Sequence, residues 1–464
     1  MADQDAGLGK SRCPGPGWDD LVAADARPMP DFLRVDSYEY RGSEPLDTSR
    51  YTSPEFFRAE VEKMWPNVWQ MAARDEDMPD PGDTVVYENV GRSYVLVRQD
   101  DGSVRAFHNV CLHRGRRLRS ESGPATMLHC PYHGFAWNLD GTLNNIPCRW
   151  DFGHLNDEKM SLPEAETGRW GGYIFLRENP GGPTLEEYLS PLPEHFKRWP
   201  HEECTTVAWV GKIIRANWKA VMEAFMEAWH AYTTHPQIAA FVSDMNSRYN
   251  IYGDNVNVGL NAQGAMSPML DPTGKSEQWI VDEYLKFNGR SALNEDAPKI
   301  VVPEGSTARR VLGERARQDY SELYSRNLDH ATDAELLDSI FYSVFPNWGP
   351  WGGFMPSLDY RFRPWPDEDT TLMEVRILVR QKPGVPIPRS VPMRLLQVGE
   401  PWLDATELGT VLAEILDQDV SNVEELQRGL KSSKTGKVQL SAFQEIRIRQ
   451  FHQTLNKYLE GRAG

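Results

Sequence analysis

The chain predicts an α+β protein in which a small all-β unit over residues 66–180 precedes a larger mixed unit over residues 181–464. Three observations lead there. Short β-branched and aromatic runs crowd the first half, separated by turn signals such as Asp101-Gly102 and Asp140-Gly141. From Asn217 onward, helical periodicity alternates with strand-like runs such as Thr371 to Arg380. Finally, 464 residues exceed what one ordinary core organises.

Taken in order, residues 1–50 are rich in Pro, Gly and Asp and show no periodicity, reading as an extended arm able to wrap a neighbour or as a mobile tail. Ser53-Pro54 then supplies an N-cap and a first-turn proline, with Phe56, Val61 and Met64 as apolar contacts, so a helix is expected to Trp65. Arm and helix together, residues 1–65, are expected to pack on the larger unit. Strands are expected at 84–90, 94–98, 104–110, 126–129, 135–139 and 172–177. The stretch GGPTLEEYLSPLP after Pro180 reads as a connection.

Composition narrows the class. A formal net charge of −17 repels polyanions and argues against nucleic acid or an anionic membrane surface as partner. The first twenty residues lack the basic start and apolar run of a leader, and no apolar stretch is long enough to cross a bilayer, which leads to the expectation of a cytoplasmic protein. Five cysteines in so long a chain make no disulfide framework and favour metal ligation for a well-spaced pair.

Such a pair stands in CLHRGRRLRSESGPATMLHCPYHG: Cys111-x-His113, sixteen residues, then Cys130-x-x-His133. Two thiolates and two imidazoles are brought by two short loops and are expected to converge on one point. A Cys₂His₂ zinc site is the competing reading. Zinc fingers, however, usually place both cysteines in one knuckle and both histidines on one helix, whereas each knuckle here is mixed. Mixed knuckles suit a [2Fe-2S] cluster with Cys₂ on one iron and His₂ on the other. Arg114, Arg116, Arg117 and Arg119 beside it form a basic patch fit to dock an acidic electron donor, unless they are simply solvated or carboxylate-paired.

A second constellation lies in NWKAVMEAFMEAWHAYTTHPQ, residues 217–237. Met222, Phe225, Met226 and Trp229 share one apolar face and read as core, while Glu223, Glu227 and His230 line another. His230 and His235 are five apart, about 140° round a regular helix, so the helix must loosen before both can face one ion. Pro236 disfavours the α region for His235 and supplies the reason. A non-haem ferrous face needs a carboxylate beside two neutral imidazoles. Asp419 is the candidate, in the middle of a stripe of Leu412, Ile415, Val423, Leu426 and Leu430, where a buried carboxylate must be paired, protonated or bound to a cation and a metal with two neutral ligands is the economical partner.

The Cys-x-His and Cys-x-x-His pair with Pro131, Tyr132 and Gly134 resembles the Rieske motif. Glu227-x-x-His230-x4-His235 and the later Gln418-Asp419-x4-Glu424-x-x-Gln427 resemble the catalytic domain of Rieske ring-hydroxylating oxygenase α subunits, a resemblance that spans about residues 50–460. It implies a helix-grip catalytic domain, in which an antiparallel sheet curls round a long helix. It also implies one [2Fe-2S] cluster on Cys111, His113, Cys130 and His133 and one mononuclear Fe(II) on His230, His235 and Asp419. Glu227 would link an iron ligand to a cluster histidine, matched to His133. The family often carries Asn, Asp and Tyr where Ala224, Glu227 and Trp229 stand here, which leaves the reaction open between cis-dihydroxylation and monooxygenation or demethylation.

The resemblance further implies O₂ as co-substrate, electrons from an NAD(P)H-linked reductase directly or through a ferredoxin, and a head-to-tail trimer with or without small β subunits. An aromatic substrate is expected, with Phe225, Phe241, Val242, Met245, Phe341, Phe345, Trp348 and Phe354 as candidate walls. The run FYSVFPNWGPWGGFMP reads as a strand entering a Gly- and Pro-rich loop. The remaining histidines and Cys148 and Cys204 read as structural, the two thiols as buried. A Rieske electron carrier with a merely structural second domain is the reading from another class.

Overall fold

The computed structural model describes residues 9–288 and 300–462. Its first half holds a seven-stranded antiparallel sheet in the order Gln70–Arg74, Tyr173–Arg177, Glu164–Trp170, Val104–His108, Arg92–Arg98, Asp83–Asn89, Gly123–Pro124. Beside it lies a small sheet of Leu128–His129, Ala136–Trp137 and Leu143–Asn145. Four of the expected strands fall within a few residues of their predicted places, and the runs at 126–129 and 135–139 shrink to two residues each. Gln70–Arg74 and Glu164–Trp170 escape sequence reading: QMAAR has no β-branched residue and EAETGRW is largely polar. Pairing overrides these weak propensities: Gln70–Arg74 is held as the edge strand by Tyr173–Arg177, and Glu164–Trp170 is paired on both sides.

The second half is built on an eight-stranded sheet: Val242–Tyr252, Val256–Gln263, Ser339–Val344, Trp348–Gly352, Ser357–Pro364, Thr371–Arg380, Cys204–Ile214 and Arg394–Leu396, antiparallel except for the last pair. Thr371–Arg380 lies where expected, between two long partners. Side chains alternate across the sheet. On one face Val258, Leu260, Ile340, Tyr342 and Trp348 pack with Trp18, Leu189 and Trp199. On the other, Val210, Tyr360, Phe362, Met373 and Val375 pack with Trp218, Leu416, Val423 and Phe451 from the helices Trp218–Glu223, Thr410–Ser432 and Ile446–Leu459. The α+β class and the long helix laid on an antiparallel sheet are thus both present.

Several local expectations change. The Gly- and Pro-rich run is a second strand, not a loop: Val344 pairs with Trp348 and Ile340 with Gly352. Glycine is needed at 352 because a Cβ there would lie 2.6 Å from the Trp199 ring. The stretch after Pro180 holds the helix Leu185–Leu189, capped by Thr184 and Glu187. The buried stripe of the long helix is Ala413, Leu416, Asp419 and Val423, one position round from that expected, so Leu426 is exposed. Cys204 is buried, but the Cys148 thiol is exposed, since its residue opens a surface turn.

The described part of the N-terminal arm is not a loose tail. It lies on its own chain: Trp18 is buried and its Nε1 donates to Asp338 at 3.0 Å, Asp25 pairs with Arg309, and Asn246 donates to the Cys13 carbonyl at 2.8 Å. Its first eight residues lie outside the described residues. The helix after Ser53 starts as predicted, with Ser53 Oγ accepting from the Phe56 amide, but beyond Ala59 it widens into a π turn, Glu60–Met64.

The two sheets are joined through buried arginines. Arg361 Nη1 donates to the Met71 and Ala72 carbonyls at 3.0 and 2.7 Å, Arg363 donates to the Glu88 carbonyl, and Arg376 pairs with Asp77 at 2.8 Å. Glu374 accepts from Arg361 and Arg363. Burial alone would raise the Glu374 pKa, but the surrounding guanidiniums hold it far below the usual carboxylate range.

Candidate active site

The two mixed knuckles have one shape. The Cys111 amide donates to the Arg116 carbonyl and the Cys130 amide to the Phe135 carbonyl, each at 2.8 Å. The Gly115 and Gly134 amides return to the Cys111 and Cys130 carbonyls, each at 3.0 Å. Both glycines have positive φ, +78° and +81°, so both turns call for glycine at the fourth position after the cysteine. The knuckles face each other: the two thiols are buried and hydrogen-bonded together, and the His113 and His133 rings lie 4.6 Å apart. Burial pushes the Cys111 thiol up, and His113 Nδ1 is buried without a partner.

Each knuckle thus contributes one thiol and one imidazole, with Cys111 beside Cys130 and His113 beside His133. A thiol pair facing an imidazole pair, with an orphaned ring nitrogen, fits a two-iron cluster.

A second group is His230, His235 and Asp419, whose ligand atoms lie within 4.8 Å of one another. Asp419, facing inward from the long helix, sets Oδ1 3.0 Å from His235 Nε2 and 3.5 Å from His230 Nε2, and the two rings lie 5.3 Å apart. The histidines meet because the chain leaves its helix. Regular turns stop at Glu223, Ala231–Thr234 forms one short helical turn between the ligand candidates, and His235 takes a non-helical ψ of 58° before Pro236. The helix therefore breaks before His230 as well as at His235.

Each imidazole is oriented from behind. His230 Nδ1 donates to Glu227 Oε1 at 2.6 Å, and His235 Nδ1 donates to Gln418 Oε1 at 2.6 Å. Both Nε2 atoms are thereby turned toward Asp419, the orientation that metal ligation requires. Burial opposes a charge on His230, but Glu227 and Asp419 outweigh it and push its pKa up to about 10. Burial would likewise raise Asp419, yet the two imidazoles hold it below the ordinary carboxylate range. A buried anionic pocket with two oriented nitrogens fits a divalent ion of the non-haem ferrous type.

Around the triad the expected walls divide. Phe225 stacks at 5.1 Å on Tyr360, whose hydroxyl feels the Asp419 charge. Tyr360 touches Trp351, and Trp351 touches Phe341. Met245 is half-buried and its carbonyl is held by Gln444. Phe241 and Val242 belong to a separate helical core, Phe345 packs on Phe451 and Tyr458, and Trp348 and Phe354 lie on the opposite face of the sheet. Trp229, read as core, is 42% exposed, and Glu223 turns away from Glu227 to bond Tyr51 and His452. Gln418, quoted only as part of the motif with no role of its own, is brought to His235 from 183 residues away, and Trp351 and Tyr360 carry no sequence signal that would single them out.

Comparison with known proteins follows this geometry. The family model described as the catalytic domain of ring hydroxylating alpha subunits matches residues 194–461, and that of the Rieske [2Fe-2S] domain matches residues 68–155. The chain is 29% identical over 216 residues to the carnitine monooxygenase oxygenase subunit of Escherichia coli, covering 45% of this chain and 57% of that protein. It is 32% identical over 241 residues to the large oxygenase component of a naphthalene 1,2-dioxygenase system of Pseudomonas aeruginosa, covering 50% and 52%. The match thus spans about half the length of these curated relatives. Among solved structures, a quaternary ammonium Rieske monooxygenase with L-carnitine superposes with a TM-score of 0.64 at 18% identity, covering 91% of this chain and 99% of that one. A naphthalene 1,2-dioxygenase mutant bound to phenanthrene gives 0.63 at 19%, covering 92% and 94%.

Proposed function

The chain belongs to the ring-hydroxylating oxygenase α-subunit family, and from that membership we propose that it is the terminal oxygenase of an electron-transfer system. Cys111 and Cys130 would hold one cluster iron, His113 and His133 the other, and His230, His235 and Asp419 the mononuclear ion. Bound there, the cluster supplies single electrons and the mononuclear iron supplies the site at which O₂ is reduced. Glu227 accepts the His230 Nδ1 proton on one oxygen and the His230 amide on the other, whose remaining lone pair would meet a donor histidine, for which His133 of a neighbouring copy is the candidate. Gln418 fixes His235 through its Nδ1 proton.

The observation that carries this reading is the convergence of His230, His235 and Asp419 with Glu227 behind the first of them. The electron donor is a reductase, with or without a ferredoxin, and the assembly a trimer in which each cluster serves the next chain. Among the described residues no carboxylate bonds the exposed Arg114 and Arg116, which favours an acidic donor, whereas Arg117 is already paired with Glu88.

For the substrate we infer a compact organic cation oxygenated at a carbon next to nitrogen. Ring faces attract cations, the net charge of −17 draws them in, and similarity to the carnitine and glycine betaine oxygenase subunits supports the choice. A flat aromatic ring is the second reading, supported by similarity to the naphthalene dioxygenase component. Product analysis with ¹⁸O₂ across both classes decides between them. The oxygenase reading as a whole is tested by iron counting. The reading requires one mononuclear iron beyond the two of the cluster, and Asp419→Ala should lose that iron and all product while keeping the cluster's visible and EPR spectra. A wild-type protein with cluster iron alone would be an electron carrier.

A further inference from the structure

Glu227 lies between two helical pieces, in a stretch where no regular helix sets its direction. Its backbone is fastened on both sides by side chains from elsewhere in the fold. On one side, Arg447 Nη1 donates to the Met226 carbonyl at 3.1 Å; on the other, the Ala228 amide donates to Tyr249 Oη at 3.2 Å. Tyr249 comes from the strand Val242–Tyr252 and Arg447 from the helix Ile446–Leu459, so sheet and helix grip the same three residues.

Both clamps are themselves held. The Tyr249 hydroxyl donates to Gln444 Oε1 at 3.2 Å, and Gln444 is tied to the Met245 carbonyl at 2.8 Å. Arg447 is fully buried. Its Nε donates to Asn257 Oδ1 at 2.5 Å, Nη2 donates to the Phe341 carbonyl at 3.0 Å and to Ser343 Oγ at 2.7 Å, and the guanidinium lies over the Phe341 ring. Among the described residues no carboxylate bonds it. A buried guanidinium satisfied only by neutral acceptors is costly, and the carboxylate within reach of its charge is Glu227.

We infer that Tyr249 and Arg447 are positioning residues, holding the backbone on either side of Glu227 so that its carboxylate meets His230; the inference rests on the reading of Glu227 as the link between the two centres. Tyr249 withdraws the Ala228 amide from any helical partner, which keeps the segment open, and Arg447 anchors the preceding carbonyl. Together they fix the backbone on either side of Glu227, whose two oxygens accept from the His230 amide at 3.1 Å and from His230 Nδ1 at 2.6 Å. Neither touches the metal ligands, so their effect passes through Glu227.

The test uses the full-length protein with its cluster in place, as Tyr249→Phe, Arg447→Lys, Glu227→Ala and the Tyr249→Phe/Glu227→Ala double variant. With Co(II) as the probe in the mononuclear site, the exchangeable Nδ1 protons of His230 and His235 give separate paramagnetically shifted resonances, and Glu227→Ala identifies the first. Tyr249→Phe is expected to move the His230 resonance alone, to slow single-turnover oxidation of the cluster about tenfold, and to leave iron content unchanged. The double variant should be no slower than Glu227→Ala. If Tyr249→Phe and Arg447→Lys both keep the wild-type resonance and rate while Glu227→Ala is slow, the positioning role is wrong; additive slowing in the double variant overturns it equally. A wild-type rate in Glu227→Ala would instead remove the linking role on which the inference rests, while the resonance still decides the positioning.

Discussion

Gln418 accepts the Nδ1 proton of His235 at 2.6 Å from the position next to Asp419, so neighbouring residues on one helix supply both a candidate ligand and the group that orients another. Replacing Gln418 with Ala should weaken Co(II) or Fe(II) binding at the mononuclear site about 10- to 100-fold while leaving the cluster spectra intact. Gln418→Glu, which keeps an acceptor in place, should recover most of the affinity. Metal titration of protein stripped of its mononuclear ion measures this, and equal affinities in all three proteins would show that His235 is held by something else.

Trp351 touches both Tyr360 and Phe341 in the ring set beside the triad. For a cationic substrate, Trp351→Leu should cost on the order of 1 kcal/mol of binding, a several-fold rise in KM, because an aliphatic wall keeps the burial but loses the ring face. An uncharged isostere of the same shape should show a much smaller change. Equal shifts for both would favour the flat hydrocarbon reading.

A chain lacking its cluster, Cys111→Ala, and a chain lacking its mononuclear ion, Asp419→Ala, should each be inactive alone yet form product when co-expressed. A head-to-tail ring places an intact cluster beside an intact acceptor, since such interfaces close when the rotation permits. The measurement is turnover by doubly tagged mixed assemblies. Inactivity with the remaining sites filled would exclude transfer between chains.

Burial pushes the Glu223 carboxyl, bonded to Tyr51 and His452, up to about 8. A carboxyl whose folded pKa is raised binds its proton more tightly when folded, so its contribution is complete below the ordinary value of 4.5 and is lost as pH rises toward 8. Melting temperature should therefore fall between pH 5 and 8 more steeply in the wild type than in Glu223→Gln, whose amide cannot titrate. Parallel curves would mean that Glu223 is ionised throughout.

The candidate site residues were legible because the spacing metal ligation would demand is local: the mixed knuckles and the His230, His235 pair each lie within a few residues. What supports them was not legible. Gln418, Tyr249 and Arg447 act through partners nearly two hundred residues away in the first case and some twenty and more than two hundred in the others. The long helix was recognised but turned by one residue, because Leu412 and Ile415 are as apolar as Ala413 and Leu416 and only packing selects between two overlapping stripes. Trp229 looked like core for the same reason: periodicity records an apolar face, and the chain there is not a helix.

Arg361, Arg363 and Arg376 reach from one sheet into backbone carbonyls and a carboxylate of the other. A joint made at carbonyls has no swivel, since even a small rotation would strip buried guanidiniums of several acceptors at once. The two halves of the chain are thus braced against each other at backbone level, so on the proposed reading the reach of an electron within one chain is settled when it folds.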